Sequence, residues 1–258
     1  MRIVIKIGTS TLAHPSGLLN IKRVEELCKI MSDLKNAGNE IILVSSGAIA
    51  MGVGKLSLHE KPHDIPTRQA AAAVGQCELM YTYDKLFAEY NHTVAQILIT
   101  GDDVEHENRR HNFENTILRL LQLGVLPIIN ENDTISTDEI VIGDNDTLGA
   151  IVAKAVSADL FILLSDIDGL FTADPHKDEN ARLIDVVEEI TPEIEKMTGG
   201  AGSKLGRNDH KIKGRRNRKC RGNRYGNSKR QKPEAALRYC GRQKRGNKIF
   251  GKKGVKKE

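Results

Sequence analysis

Short apolar runs alternate with longer amphipathic stretches over the first 200 residues of the chain. The apolar runs are rich in Val, Ile and Leu, as is typical of strands buried on both faces of a sheet. The amphipathic stretches repeat apolar residues at spacings of three and four, which predicts helices that cover such a sheet. The pattern therefore predicts an α/β fold with a mainly parallel central sheet.

The first strand and helix show how the element boundaries are predicted. Residues 2–8 (RIVIKIG) predict a buried strand, and Asn20 is a suitable N-cap for the helix that follows. Gly38 is the expected C-terminal stop of that helix. Further strands are predicted at residues 40–47, 93–100, 125–132 and 159–166, and further helices at 68–90, 113–124 and 146–158.

Polar and glycine-containing segments follow the predicted strands. Parallel α/β sheets bind ligands beyond the carboxyl ends of their strands, so these segments are the candidate site. Each combines glycine, which lets backbone N–H groups approach an anion, with hydroxyl, amide, carboxylate or lysine side chains. Together they predict a polar small-molecule site that handles phosphate: KIGTS (6–10), SSGA (45–48), NEND (130–133), GDND (143–146) and SDIDG (165–169).

Several other classes of protein lack support in the sequence. Neither a GxxxxGK[ST] loop nor a GxGxxG turn is present, and no HExxH pattern occurs. The four cysteines show no CxxC or zinc-ligand spacing, which favours reduced thiols. No apolar run approaches the roughly 20 residues of a membrane span. We therefore expect a cytoplasmic protein without a membrane partner.

The ordered set of motifs is more specific than any one of them. It comprises KIGTSTL, ILVSSGAIAMG, AAAVGQ, QILIT, GVLPIINENDTIS, GDNDTLGA and LLSDIDGLFTADP. Over residues 1–206 this series resembles the glutamate 5-kinases, a branch of the amino acid kinase family. The resemblance implies a three-layer α/β/α sandwich, with ATP and Mg²⁺ as cofactors. Its implied reaction is phosphorylation of the γ-carboxylate of L-glutamate, the first step of proline biosynthesis.

The resemblance also implies roles for individual residues. Lys6 and Asp146 would be catalytic, Lys6 at the transferred phosphoryl group and Asp146 orienting the cations around the phosphates. A lysine that ends an apolar strand places its charge at the rim of the core, which is unusual without such a role. No metal-binding side chain is implied. Ser46, Gly47, Asp133 and Asn145 would bind substrate, and Lys6, Gly8, Ser165 and Asp166 would bind the nucleotide.

Charge divides the chain near residue 206. Residues 1–206 carry 18 Lys and Arg against 31 Asp and Glu, whereas residues 207–258 carry 21 against 3, so the overall charge of +5 conceals two opposite halves. One interpretation is a nucleic-acid-binding arm, although Tyr225, Tyr239 and Phe250 are its only aromatic residues for base stacking. We expect no specific nucleic-acid partner.

A second interpretation is that residues 207–258 are translated out of frame. Where the resembled family has a glycine-rich TGGMxTK turn, this chain has RNDHKIK. A one-base offset from Arg207 permits GMITKLKAAEIANAG, then IDMVIANGKNP and LYDIVEGK, which have the periodicity that the written tail lacks. We therefore predict a kinase domain at 1–206 that is incomplete at its C-terminal end, and a poorly ordered basic tail at 207–258. Activity of the chain as written should be impaired.

Some alternatives and expectations stay open at this point. The chain could be another amino acid kinase, acting on aspartate, acetylglutamate, carbamate or UMP, although NENDTIS and GDNDTLGA argue against these. The resemblance makes a homo-oligomer and feedback by L-proline plausible. Many members of the resembled family carry a C-terminal PUA domain, and we expect none in this chain.

Overall fold

The computed structural model describes most of the chain up to residue 187. The gaps within this part are residues 15, 17, 61, 137–144, 166–168 and 174–177. Beyond it, two strands are described at 224–229 and 248–250.

Ten strands and seven helices lie within the described residues. The strands are β1 (Arg2–Ile7), β2 (Glu40–Val44), β3 (Val94–Ile99), β4 (Leu126–Glu131), β5 (Leu160–Ser165), β6 (Leu170–Phe171), β7 (Leu183–Ile184), β8 (Val186–Val187), β9 (Arg224–Lys229) and β10 (Lys248–Phe250). The helices are α1 (Thr9–Leu12), α2 (Ile21–Asn36), α3 (Ala48–Lys55), α4 (Ile65–Ala88), α5 (Gly101–Glu105), α6 (Glu107–Gln122) and α7 (Asn145–Ala155).

One large sheet has the strand order β3-β4-β2-β1-β5-β9-β10-β8. Every pair from β3 across to β9 is parallel, and β10 is antiparallel to β9. The chain adds β2 on one side of β1 and β5 on the other, so the direction of strand addition reverses at β1. Such a reversal opens a crevice at the carboxyl ends of the strands, which is where the sequence analysis expects the site.

Apolar side chains from the two faces of the sheet form two cores. Along β1, Ile3, Ile5 and Ile7 pack into one core with helices α2 and α4, whereas Val4 packs into the other with α6 and α7. This period of two follows from the alternation of side chains along a strand. The result is a three-layer α/β/α sandwich, as predicted.

The boundaries of α2 confirm the capping signals in the sequence. The Asn20 side chain accepts a hydrogen bond from the backbone N–H of Arg23 at 3.3 Å, which satisfies one of the free donors at the start of the helix. Gly38 follows the end of the helix with φ of +83°, a conformation that side chains with a Cβ rarely adopt. None of the helices in the described ranges is long and apolar enough to cross a membrane.

Two strands of the basic segment differ from the poorly ordered tail that we predict. Residues of β9 pair with β5 from Leu160↔Arg224 to Ser165↔Lys229, and β10 pairs with β9 and β8. Strand pairing uses backbone groups, so the exposed edge of β5 can accept even a polar sequence such as RYGNSK. Other residues of 207–258 lie outside the described ranges, so the domain boundary and the packing of the tail stay predictions.

Helices α3 and α4 make backbone contact through two glycines. A Cβ on Gly52 would overlap the backbone of Ala71, and a Cβ on Gly75 would overlap the carbonyl oxygen of Ala48. Because these are backbone atoms, a side chain at either position could be accommodated only if the helices separated. Glycine therefore sets the close approach of α3 to α4.

Gly75→Ala is expected to destabilise the protein, even though alanine ordinarily favours a helix. The overlap with Ala48 should cost about 1–3 kcal/mol, measured as a lower midpoint of urea unfolding. Ala73→Ser, at an exposed position of the same helix, is the matched control and should leave the midpoint nearly unchanged. A Gly75→Ala protein as stable as the control would contradict the close contact.

Candidate active site

A cleft of about 620 Å³ opens at the carboxyl edge of the sheet. Its walls come from the ends of β1, β2 and β4, from the first turns of α3 and α4, and from the start of α7. The cleft therefore lies where the strand-end motifs predict a site. Its polar lining includes Lys6, Thr9, Ser16, Ser46, His59, Glu60, Arg68, Asn130, Asp133 and Asn145.

Lys6 and Asp146 form an ion pair at the floor of the cleft. The Lys6 Nζ lies 2.6 Å from Asp146 Oδ1, and their side chains are only 12% and 9% exposed. Lys6 is the penultimate residue of β1, and Asp146 lies in the first turn of α7, which packs across that strand. A Cβ on Gly149 would lie 2.6 Å from a ring atom of Phe161, so glycine permits this close approach of α7. The pair thus fixes a positive charge close to the apolar core.

The turn between β2 and α3 presents Ser46 to the cleft. Gly47 is the N-cap of α3 and has φ of +95°, which requires glycine in practice. Behind the turn, the buried Ser45 Oγ lies 3.0 Å from the hydroxyl oxygen of Tyr83 on α4. Burial raises the pKa of Tyr83, so its hydroxyl stays protonated and able to donate this hydrogen bond. The hydrogen bond between Ser45 and Tyr83 therefore anchors the turn to the core.

The Asn145 amide joins three segments of the site. Its Nδ2 lies 2.5 Å from the carbonyl oxygen of Ser45, 2.7 Å from Ser46 Oγ and 3.0 Å from Asn130 Oδ1. An amide nitrogen carries two protons, so the three acceptors share them. This network holds the start of α7 against the ends of β2 and β4.

Asp133 is a carboxylate whose surroundings disfavour its charge. Burial and the nearby Glu131 raise the pKa of Asp133 to about 6, and Arg68 opposes that shift. A carboxylate in this setting gains when a cationic group binds beside it, because the cation offsets both burial and repulsion. Asp133 is therefore suited to receive an ammonium group from a ligand.

The structure brings together most of the residues that the sequence analysis selects. Lys6, Ser46, Gly47, Asp133 and Asn145 line one cleft, and Asp146 pairs with Lys6. Gly8 lies beside this pair, since a Cβ there would be 3.6 Å from Lys6 Nζ. The predicted nucleotide-binding residues are described only in part. Ser165 ends β5 beside β1, but its side chain and all of Asp166 lie outside the described part of the chain.

Several cleft residues were missed by the sequence analysis, among them Arg68 and Asn130. Arg68 comes from the first turn of α4 and not from a strand end, so no local motif marks it. Asn130 belongs to the quoted NEND motif and lines the cleft, but it had not been assigned a role. Within the described residues, no group of three or more His, Cys, Asp or Glu side chains is placed to hold a metal ion.

Solved structures share this architecture at low sequence identity. The UMP kinase of Bacillus anthracis superposes with a TM-score of 0.63 at 15% identity, covering 97% of this chain and 96% of that one. The UMP kinase of Ureaplasma parvum gives a TM-score of 0.65 at 14% identity, covering 96% and 98%. At such identities the likeness shows the fold alone. The chain therefore has the α/β/α sandwich fold that these kinases share.

Sequence comparison gives the family. The model of the amino acid kinase family matches residues 1–213. A glutamate 5-kinase of Clostridium acetobutylicum is 56% identical over 205 residues, which cover 80% of this chain and 77% of the relative. A glutamate 5-kinase of Carboxydothermus hydrogenoformans is 53% identical over 206 residues, covering 80% and 55%. The chain belongs to the amino acid kinase family.

Proposed function

We propose that the chain is a glutamate 5-kinase, which transfers the γ-phosphoryl group of ATP to the γ-carboxylate of L-glutamate. The product, L-glutamyl 5-phosphate, would enter proline biosynthesis. The observation that carries this proposal is the combination, in one cleft, of a nearly buried lysine with groups suited to an amino acid. Identity of 50–56% to relatives named glutamate 5-kinase supports the same acceptor.

The proposed reaction needs charge neutralisation more than acid–base catalysis. An oxygen of the γ-carboxylate attacks the γ-phosphorus, and the bond from that phosphorus to the bridging oxygen of ADP breaks. No proton has to move, because the carboxylate is already ionised at pH 7 and ADP leaves as an anion. Lys6 would stabilise the negative charge that gathers around the phosphoryl group, and Asp146 would hold Lys6 in position.

The other end of the cleft fits the amino-acid portion of glutamate. Asp133 would bind the ammonium group, and Arg68 in the same cleft could bind the α-carboxylate. Ser46 and the N-terminal turn of α3 at Gly47 add hydrogen-bond donors for a carboxylate. The γ-carboxylate would then point toward Lys6.

ATP would enter as its Mg²⁺ complex. Mg²⁺ retains water and phosphate oxygens as ligands, so it does not need a dedicated cluster of protein side chains. Gly8 beside the Lys6–Asp146 pair leaves room for a phosphate group to approach the backbone. Ser165 and Asp166 stay predictions as nucleotide contacts.

Loss of either predicted glutamate contact tests the proposed substrate. Asp133→Ala and Asn145→Ala should each raise the KM for L-glutamate by roughly 10- to 100-fold, since a charged or buried hydrogen-bond partner is lost. The KM for ATP should change little. Glutamate-dependent release of ADP measures both constants. If both variants impaired ATP use and left the glutamate requirement unchanged, the two ends of the cleft would be assigned the wrong way round.

The pKa of Asp133 predicts a pH dependence of glutamate binding. Its folded pKa of about 6 lies above the ordinary value of 3.8, so the ionised form is scarce below pH 6. Glutamate affinity should therefore fall as pH decreases through about 6, by up to tenfold per pH unit. Calorimetric titration between pH 5 and pH 8 measures it, and Asp133→Asn should flatten this dependence. A wild-type affinity that is constant over this range would contradict the role of Asp133.

The raised pKa of Asp133 affects the stability of the free protein in the opposite direction: lower pH weakens glutamate binding but stabilises the fold. A raised carboxyl pKa means that the fold favours the protonated form, so the stabilising contribution is full below pH 3.8 and is lost as pH rises through about 6. Bound glutamate should offset that loss near neutral pH. The ammonium group thus replaces the proton as the partner of Asp133.

Two other functions are less well supported. A UMP acceptor rests only on the shared fold at 14–15% identity, and comparison of L-glutamate with UMP as acceptor would test it. Nucleic-acid binding rests on the basic composition of 207–258, and a loss of function on deleting that segment from an active kinase would support it. Homo-oligomer formation, L-proline feedback and a cytoplasmic location stay predictions.

A further inference from the structure

Gln76 is a buried polar residue on the apolar face of α4. It is 7% exposed, and its neighbours on the same face include the fully buried Leu79 and Tyr83. Burial of an amide there costs free energy unless hydrogen bonds replace those to water. Gln76 does not line the cleft, but its Oε1 accepts a hydrogen bond from Asn130 Nδ2 at 2.9 Å, and Asn130 does line it.

The hydrogen bonds of Asn130 fix the direction of its amide. Its Oδ1 lies 2.9 Å from the backbone nitrogen of Glu131, and a backbone N–H can only donate. The nitrogen end of the Asn130 amide must therefore point to Gln76. The same Oδ1 also accepts from Asn145 Nδ2 at 3.0 Å, so the two side-chain amides are arranged in series.

The direction of the Asn145 amide follows in turn. Its nitrogen faces the Ser45 carbonyl oxygen and Asn130 Oδ1. Neither oxygen carries a proton, so both can only accept a hydrogen bond. Rotating the amide by 180° would place an oxygen against two oxygens. The nitrogen is thus used within the protein, and the Asn145 carbonyl oxygen is the atom that can accept a hydrogen bond from a ligand.

We propose that Gln76 is a positioning residue that acts through Asn130 to orient the Asn145 amide, so that Asn145 offers its oxygen to the substrate ammonium group. This role rests on the proposed binding of L-glutamate. Asn145 and Asp133, both in the cleft, would then supply two acceptors to one ammonium group. Without the Gln76 oxygen, Asn130 Nδ2 loses this hydrogen bond, so the Asn130 amide is held less firmly in the direction that orients Asn145.

Two substitutions separate hydrogen bonding from shape. Gln76→Met preserves the size of the side chain but removes the acceptor, and should weaken L-glutamate binding roughly tenfold. Gln76→Glu keeps an oxygen at that position and should bind glutamate more tightly than Gln76→Met. Gln122→Met, at an exposed site on α6, is the matched control and should bind like the unsubstituted chain.

The experiment combines calorimetric titration of the full chain with L-glutamate and NMR of ¹⁵N-asparagine-labelled protein. In Gln76→Met we expect the side-chain amide signal of Asn145 to shift and glutamate affinity to fall, and adding Gln76→Met to Asn145→Ala should cause little further loss. Additive losses, an unchanged Asn145 signal, or equal affinity of the Met and wild-type chains would overturn the positioning role. Absence of glutamate binding by the unsubstituted chain would instead overturn the proposed function, with the NMR signal still deciding whether Gln76 orients Asn145.

Discussion

Lys6→Ala should lower the turnover number of the kinase by about 100-fold or more, because one charged group aimed at the developing negative charge is worth roughly that factor. The Lys6 side chain is nearly buried, and its Nζ lies 2.6 Å from Asp146 Oδ1. In the Lys6→Ala protein, bulk water could therefore not take over the stabilising effect of the lost charge efficiently. The KM for L-glutamate should change much less, because that charge develops in the transition state and not on binding. Initial rates of ADP release at saturating ATP and glutamate measure the effect.

Lys55→Ala provides a matched control for Lys6→Ala. Lys55 is an exposed lysine at the end of α3 that pairs with Glu78, and it does not line the cleft. Its loss should leave the turnover number nearly unchanged. A normal turnover number for Lys6→Ala, measured in an otherwise active protein, would remove Lys6 from the phosphoryl site.

Restoring the offset reading frame after Gly206 should raise the activity by about 100-fold or more, since the phosphate-binding turn would regain its backbone donors and a lysine. The melting temperature should rise as well, by at least several degrees, because an apolar segment would return to the core. Glutamate-dependent ADP release and thermal melting of the two purified proteins measure both effects. A third protein ending at Gly206 shows whether the written tail has any effect of its own.

The position of β9 bears on this comparison. In the offset frame, the run IDMVIA begins with the codon of Asn223 and ends at that of Ser228, so it overlaps all but the last residue of Arg224–Lys229, the strand beside β5. An apolar run suits a strand buried within a parallel sheet far better than RYGNSK does. If the chain as written matched the restored chain in activity and melting, the frameshift interpretation would be wrong and the basic tail would be a genuine part of the enzyme.

Strand ends could be predicted from the sequence because the signals are local. A continuous apolar run such as RIVIKI ends where polar residues begin, and in a parallel sheet all such ends meet at one edge. That reasoning was sufficient to select the segments that carry Lys6, Ser46, Asp133 and Asn145, which line the cleft, whereas the individual residues were selected by the resemblance to a known family.

The residues that α4 contributes to the site could not be predicted from the strand ends. Arg68 and Gln76 lie in a long helix whose sequence shows which face is apolar but not which strand end that face meets. Their positions depend on how closely α3 approaches α4, and that distance is set by glycines 23 residues apart, Gly52 and Gly75. Pairing of β9 with β5 was also missed, because a backbone-driven strand leaves no hydrophobic pattern.

The glycine contact between α3 and α4 determines how the wall of the cleft can move. A helix of eight residues is too short to persist in water without support, so α3 depends on the 24-residue α4 for its order. With backbone pressed against backbone, neither helix can slide or tilt without the other. The turn that presents Ser46 and the helix that bears Arg68 should therefore shift as one rigid unit, so that the cleft cannot widen by separation of α3 from α4.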